Sequence, residues 1–308
     1  GEGGSFTGFC NVITGAAAQG FNVLILAFYT SKPSDSLFAW ESMDEASRAA
    51  IMNALHQQGI IMMASYGGAS VSGGAPTGTT LDTLVQWALD HQLDGIDFDM
   101  ENYSAASLGA NITALGKASK AVKDAYAQKQ RACIVTHAPQ APYFKGTWTG
   151  TTRSYTDLMA SYGTYIDWLN VQFYNQGALS PYDTPDTLIV QSGGDMAGTA
   201  LNEIIANGVP GHKLVIGKCG KGYGGCTNTG YIAPSAWPAI LGKISDPLGY
   251  KGVMFWKWAT LDIGQAPVGA AMNSLRPLLG VSKHTVQFEC PSSSGSTSGS
   301  SSSSSSSS

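Results

Sequence analysis

Seven short apolar runs, each bounded by glycine or polar residues and separated by helical patterns, recur along this chain and limit its architecture more than any other feature. Runs that are apolar throughout suit strands covered on both faces, the condition of a parallel sheet wrapped by helices. Strands are read at residues 22–30 (NVLILAFYT), 59–67 (GIIMMASYG), 93–102 (LDGIDFDMEN), 132–138 (ACIVTHA), 167–175 (DWLNVQFYN), 213–220 (KLVIGKCG) and 251–258 (KGVMFWKW). Between them, a helix from about Met43 has Ser42 and Glu45 as a capping box and stops at Gly59. Leu81, Leu84, Val85, Ala88 and Leu89 mark one face of the next, which ends near His91. Further helices are read at residues 105–129, 155–162, 197–207, 235–244 and 267–279.

Seven βα units of this kind fit an α/β fold, the (β/α)8 TIM barrel, better than an open sheet. Residues 1–20 are too few and too glycine-rich for both a first strand and its helix, so the barrel is expected to lack its first strand in this chain. The barrel is assigned to residues 1–280 and a C-terminal extension to 281–290. Residues 291–308 are almost pure Ser, Gly and Thr; they have nothing to bury and read as a disordered linker or tail.

The third strand is unlike the others. Asp94, Asp97, Asp99 and Glu101 fall within eight positions of it. Side chains alternate across a strand, so Asp97, Asp99 and Glu101 share one face while Ile96, Phe98 and Met100 take the other. Same-face neighbours stand about 7 Å apart at Cα. Three acids in a row on an inward face cannot all ionise cheaply, so at least one proton is held at neutral pH. A solvated acidic edge would not carry Ile, Phe and Met on its reverse. A calcium loop of the EF-hand kind needs a glycine at its sixth position and ligands spread around a loop, and neither is present. A magnesium barrel enzyme needs acids at the ends of neighbouring strands, and those ends carry none.

Composition narrows the partners. A formal charge of −4 and a pI near 5.7 supply no basic surface for nucleic acid. No apolar run reaches the length of about 18 residues that a membrane span needs. No Cys-x-x-Cys spacing suggests zinc, and the glycine-rich run 217–225 does not open a first βαβ unit, so a dinucleotide site is not indicated. The expectation is a monomer without metal or cofactor. Charged residues are 12% of the chain while Gly (38) and Ser are abundant, a bias common in secreted enzymes. The five cysteines suggest an oxidising compartment. Cys219 and Cys226 bracket a flexible glycine-rich loop and are the first pair expected; Cys133, inside an apolar strand, is read as a buried free thiol, which leaves Cys10 with Cys290. The chain starts at Gly1 without Met or an apolar leader, so any signal peptide is expected to have been removed or left out. Asn111 in Asn-Ile-Thr is a candidate glycan acceptor, whereas Asn102, beside the acids, is expected to stay unmodified.

The stretch Asp94-Gly-Ile-Asp97-Phe-Asp99-Met-Glu101 resembles the DGxDxDxE signature of glycoside hydrolase family 18, the chitinases and endo-β-N-acetylglucosaminidases. Ser65-Tyr-Gly67-Gly68 resembles the SxGG motif of that family. Gln172-Phe-Tyr174-Asn175 resembles its strand-six motif, and Trp256 its last-strand tryptophan. Ala138-Pro139-Gln140 is similar to a segment of the compact plant and fungal chitinases. The resemblance covers residues 22–258, with the motifs in order on the right strands, and departs from the family in the absent first strand. It implies a barrel enzyme, secreted or in the cell wall, acting on chitin or other N-acetylglucosamine oligosaccharides.

The residues lead to the same chemistry. Barrel enzymes carry their sites at strand C-terminal ends, and Ser65, Glu101, Gln140, Asn175 and Trp256 fall at or near such ends. Alternation puts Gln172 with Tyr174, and Met254 with Trp256, on inward faces. Glycoside hydrolysis usually takes two carboxyl groups on opposite sides of the bond. Of six Glu residues only Glu101 ends a strand, and Asp97 and Asp99 lie beside it rather than across a sugar ring. The protein therefore lacks a nucleophile, and substrate assistance, which the resemblance also implies, supplies one: the 2-acetamido oxygen attacks its own anomeric carbon. Glu101 is expected to be the acid and then the base. Asp99 is expected to hold the acetamido N–H, and Asp97 to share a proton with Asp99. Tyr174, Asn175 and Gln172 are expected around the acetamido group, Trp256 beneath the ring, and Gln140 and Phe28 at the sugar. By position, Tyr143 and Trp148 are further subsite candidates. Asp94, Ser65, Gly67 and Gly68 are read as shaping the strands under the acids, and His137 as a packed histidine. Two alternatives stay open: an endo-β-N-acetylglucosaminidase cutting the chitobiose core of N-glycans, and a chitinase-like lectin that binds without cleaving. Such lectins usually lose the terminal Glu or an Asp, and all are present here.

Overall fold

The apolar runs pair side by side in chain order as seven parallel strands, a single curled sheet with helices packed on its outer face. The computed structural model describes residues 6–71, 74–101, 105–145, 154–177, 182–220, 227–244, 249–250, 252–258 and 267–291. Its elements are α1 (Phe6–Ala18), β1 (Val23–Tyr29), α2 (Asp35–Glu41), α3 (Glu45–His56), β2 (Ile61–Gly67), α4 (Gly78–Asp90), β3 (Gly95–Asp99), α5 (Ala105–Gln128), β4 (Ile134–His137), α6 (Tyr155–Tyr162), β5 (Trp168–Gln172), α7 (Leu201–Ala206), β6 (Leu214–Cys219), α8 (Trp237–Leu241), β7 (Gly252–Trp256) and α9 (Pro267–Leu279). This is the (β/α)8 TIM-barrel architecture with seven strands. Residues 6–18 are helical, so among the described residues no strand precedes β1.

Register decides what meets inside. Ser65 of β2 pairs with Asp97 of β3, Gly67 with Asp99, and Asp97 in turn with Thr136 of β4. Polar side chains on three strands thus stand at one level. The opposite face of β3 is apolar, and Phe98 meets Tyr66 and His137 edge-on. Leu115, Val122 and Tyr126 of α5 are fully buried in this outer layer. Every residue of β3, β5 and β6 is buried, whereas all of β7 and most of β1 are half-exposed.

That difference marks a seam. Among the described residues, β1 and β7 each pair on one side only. Ring contacts span the opening, Phe21 with Phe255 and Trp258, and Phe28 with Trp256. At Ala27 the free edge of β1 is closed by Ser36, whose hydroxyl accepts from the Ala27 N–H and donates to its carbonyl, 2.9 Å each. Residues 281–290 run back beneath the seam. His284 N–H donates to Ala17 O, and Cys290 is disulfide-bonded to Cys10 of α1. Residues 292–308 lie outside the described residues, as do Cys226, Asn102 and Trp148; Cys219 is disulfide-bonded.

Three local expectations are corrected. The cap of α3 is Asp44, not Ser42: its carboxylate accepts from the Ser47 N–H and hydroxyl, while Ser42 ends α2, a helix that the sequence pattern does not reveal. Helix α7 starts at Leu201 rather than 197, because Glu203 reaches back to the Ala200 N–H and to Ser192 and fixes the entry there. Cys133 is a free thiol, but it is half-buried and lies one residue before β4; burial pushes its pKa up to about 12.

Candidate active site

Asp97 is buried under the acidic row and is held on all sides. Its Oδ2 accepts from Ser65 Oγ at 2.8 Å, and its Oδ1 from Thr136 Oγ1 at 2.6 Å and Asn170 Nδ2 at 3.3 Å. Three donors partly offset the burial that raises its pKa. These donors fill three of the four lone-pair sites of the carboxylate, two on Oδ1 and one on Oδ2. Asp99 has one such donor, Gln172 Nε2 at 2.8 Å. Burial first, then the Glu101 and Asp97 carboxyls, holds it well above the usual carboxylate range. Of the two aspartates, Asp99 is the one whose surroundings favour a proton.

Glu101 stands two residues past the end of β3, half-buried at the rim. Its Oε2 accepts from Gln140 Nε2 at 3.2 Å, and its main-chain carbonyl accepts from the Tyr143 hydroxyl. Burial raises its pKa, and the Gln140 bond opposes that rise. Gln140 and Tyr143 belong to one short turn: the Tyr143 N–H donates to Gln140 O at 2.9 Å, and Tyr143 is buried against Tyr155. Tyr143 therefore faces the core and not a sugar subsite, which corrects that candidate.

The two glycines after Tyr66 have stated reasons. At Gly67 (φ +120°) a Cβ would sit 2.0 Å from Asp99 O, and the Gly68 N–H donates to that same oxygen at 2.7 Å. At Gly68 (φ +88°) a Cβ would strike the Phe28 ring. Close approach of β2 to the end of β3 thus depends on both. Asp94 lies at the other end of β3. It accepts from Met62 N–H at 2.8 Å and meets His56 Nε2 at 2.9 Å, pinning β2, β3 and α3 away from the acids.

A cavity of about 600 Å³ opens above Asp97 and Asp99 and extends to the seam. Ser65, Asn170, Tyr174, Phe28, Trp256 and Met254 line it. The Phe28 and Trp256 rings are 5.3 Å apart. Tyr174 is buried, and burial, followed by the charges of Asp99, Glu101 and Asp97, holds its hydroxyl well above the usual range. Asn175 is placed differently from the expectation. Its φ is +58°, and its Oδ1 accepts from Thr227 N–H at 2.8 Å and Asn228 N–H at 3.3 Å, so that oxygen holds a loop and not an acetamido group. Lys218, buried on β6, donates to Phe173 O at 2.6 Å and Tyr182 O at 2.8 Å beneath this corner; burial pushes its pKa down to about 7. His137 is packed as read, against Ser119 and Tyr155, with its pKa pushed down to about 3 by burial.

Sequence reasoning missed Thr136, Asn170, Trp168 and Asp35. Asn170 and Trp168 continue the inward alternation of Gln172 and Tyr174 by two and four residues, so the signal was there. Trp168 Nε1 donates to Asn170 Oδ1 at 3.0 Å and turns the Asn170 amide towards Asp97. Asp35, exposed at the start of α2, lines the cavity and carried no signal in its own segment. Among the described residues no group of three His, Cys, Asp or Glu is arranged to hold a metal ion, and no helix is long and apolar enough to cross a membrane.

Residues 4–233 match the model of the family "Glycosyl hydrolases family 18". A chitinase of Enterococcus faecalis is 26% identical over 276 residues, which cover 83% of this chain and 76% of that protein. A family GH18 chitinase from Pseudoalteromonas aurantia has the same fold, with a TM-score of 0.57 at 22% identity over 86% of this chain and 97% of that one. So has a fungal endo-β-N-acetylglucosaminidase of glycosyl hydrolase family 18, with a TM-score of 0.56 at 21% identity over 83% and 88%.

Proposed function

This chain belongs to glycoside hydrolase family 18, and from that premise we propose that it hydrolyses β-1,4-linked N-acetylglucosamine polymers with retention, the substrate supplying the nucleophile. The observation that carries the reading is the set of acids. Glu101 stands at the rim with a raised pKa, and Asp99 lies behind it, held further towards its neutral form. Both aspartates belong to the strand that leads to Glu101, so neither faces it across a sugar.

In this mechanism Glu101 protonates the leaving oxygen, then takes a proton from the water that opens the oxazolinium. Asp99 accepts from the acetamido N–H through the oxygen that bears no hydrogen and keeps its own proton on the other, so no proton leaves it as positive charge develops on that group. Asp97, fixed by Ser65, Thr136 and Asn170, keeps the negative charge nearby. Tyr174 donates to the acetamido oxygen, and Gln172 holds Asp99 in place. Trp256 and Phe28 present ring faces to the apolar side of the pyranose. Secretion accords with the Cys10–Cys290 disulfide.

Glu101→Gln removes nearly all turnover of a chromogenic chitobioside while sugar binding remains, and the first product from chitin oligosaccharides is the β-anomer. Retained activity, or an α-anomer first, defeats the reading. The likeness to the fungal endo-β-N-acetylglucosaminidase favours one alternative, the chitobiose core of N-glycans, with the same acids and chemistry. Colloidal chitin assayed against a high-mannose glycoprotein separates the two; binding to either without cleavage would instead mark a lectin.

A further inference from the structure

We propose that Gln140 and Tyr143 are positioning residues that hold Glu101 in the orientation from which it protonates the leaving group. The proposal rests on the acid role given to Glu101 above. Residue 101 lies beyond the last β3 pairing, so the strand ladder does not fix it. The turn after β4 replaces that ladder at two points. The Tyr143 hydroxyl grips the Glu101 main-chain carbonyl, and Gln140 Nε2 takes one oxygen of its carboxyl.

The turn is itself rigid. Ala141, Pro142, Tyr143 and Phe144 are all buried, Tyr143 is stacked on Tyr155 at an interplanar angle of 14°, and Phe144 meets the same ring. It is also tied to the other carboxyl. Gln172 N–H donates to Pro139 O at 2.8 Å in a bridge that pairs Gln140 with Gln172, and the Gln172 side chain holds Asp99. Two glutamines joined through their main chains therefore each carry one of the two carboxyl groups, which fixes the spacing of those groups.

The atoms assign the proton. An amide N–H meets an oxygen that bears no hydrogen, so with Gln140 on Oε2 the Glu101 proton sits on Oε1. A mobile carboxyl would carry the proton on either oxygen; this one carries it on Oε1. The amide also favours the carboxylate, which sets the upper limit of the pH range over which the acid stays protonated.

The test uses the whole chain with chitin oligosaccharides across pH. Gln140→Leu is expected to lower kcat about 10-fold or more, leave KM within about 2-fold, and move the alkaline limb of kcat/KM upward by about one pH unit, since a bond to a charged group is worth that much. Gln140→Glu keeps the shape and places a like charge beside Glu101, so it moves the same limb further up. Tyr143→Phe lowers kcat with KM and the limb unchanged. A raised KM with an unmoved limb in both Gln140 variants makes Gln140 a sugar contact and overturns the proposal, while Glu101 keeps its role. Failure of that underlying role has a different signature, an active Glu101→Gln variant.

Discussion

The carboxyl that the fold holds furthest from its ordinary state makes the acidic strand a liability at neutral pH, and Asp99→Asn measures it. Asp99 is buried, and its folded pKa lies above its unfolded value. The unfolded chain has released this proton above about pH 3.9, whereas the folded protein still binds it. Stability is therefore undiminished below the unfolded pKa, falls as pH rises between the two values, and levels off above the folded one. The slope is about 1.4 kcal/mol per pH unit for one proton. Asparagine has no proton to take up, and its Oδ1 can still accept the 2.8 Å bond from Gln172. The variant is thus expected to match the parent near pH 4 and to exceed it at pH 7 by about 1.4 kcal/mol for each pH unit between about 3.9 and 7 over which the folded parent still holds the proton, even with its activity lost. Urea unfolding at four pH values, followed by tryptophan fluorescence, reads the difference. Asp97→Asn is the contrast. Its two oxygens accept three bonds, so an amide NH2 there confronts a donor, and the variant gains nothing at neutral pH. If Asp99→Asn runs parallel to the parent at every pH, or is the less stable at pH 7, the reasoning is wrong.

Three other measurements bear on the same structure. Asp35→Asn is expected to keep at least half of the parent kcat, because an exposed carboxylate at the cavity edge has no step in a substrate-assisted reaction; a loss comparable to that of Glu101→Gln would make it the second carboxyl of an ordinary pair. Gly67→Ala sets a Cβ 2.0 Å from Asp99 O at a φ of +120°, so it is expected to cost about 2 kcal/mol or more in urea unfolding and to lower kcat sharply, and a variant of parent stability would refute the close approach. Cys10→Ser with Cys290→Ser opens a link of sequence separation 280, with an expected loss of about 2–5 kcal/mol, and an unchanged urea midpoint would show that the link constrains little.

The apolar runs are legible because a strand buried on both faces has no polar alternative, and the same alternation aligns Asp97, Asp99 and Glu101 in one row. Gln172 and Trp256 follow from it at once. What a single sequence does not carry is register between strands. Thr136 matters because pairing sets it level with Asp97, and nothing in its own segment says so; Ser65 is marked by its motif, but its bond to Asp97 comes from the same pairing. Asn175 shows the reverse failure. It follows the motif in sequence, yet a left-handed backbone turns its side-chain oxygen to the amides of 227 and 228. The cap of α3 shifted from Ser42 to Asp44 because a short preceding helix, invisible to periodicity, uses Ser42 as its last residue.

Among the described residues β1 and β7 pair on one side only, which divides the barrel into firm staves and loose ones. Amides on staves flanked by two neighbours exchange with solvent only when the whole sheet opens, whereas those of the flanking pair exchange through small local excursions. Asp97 and Asp99 stand on a firm stave, and the two rings at the mouth, Phe28 and Trp256, stand on opposite loose ones. Breathing at the join would therefore widen and narrow the gap between those two rings while the buried aspartates keep their places.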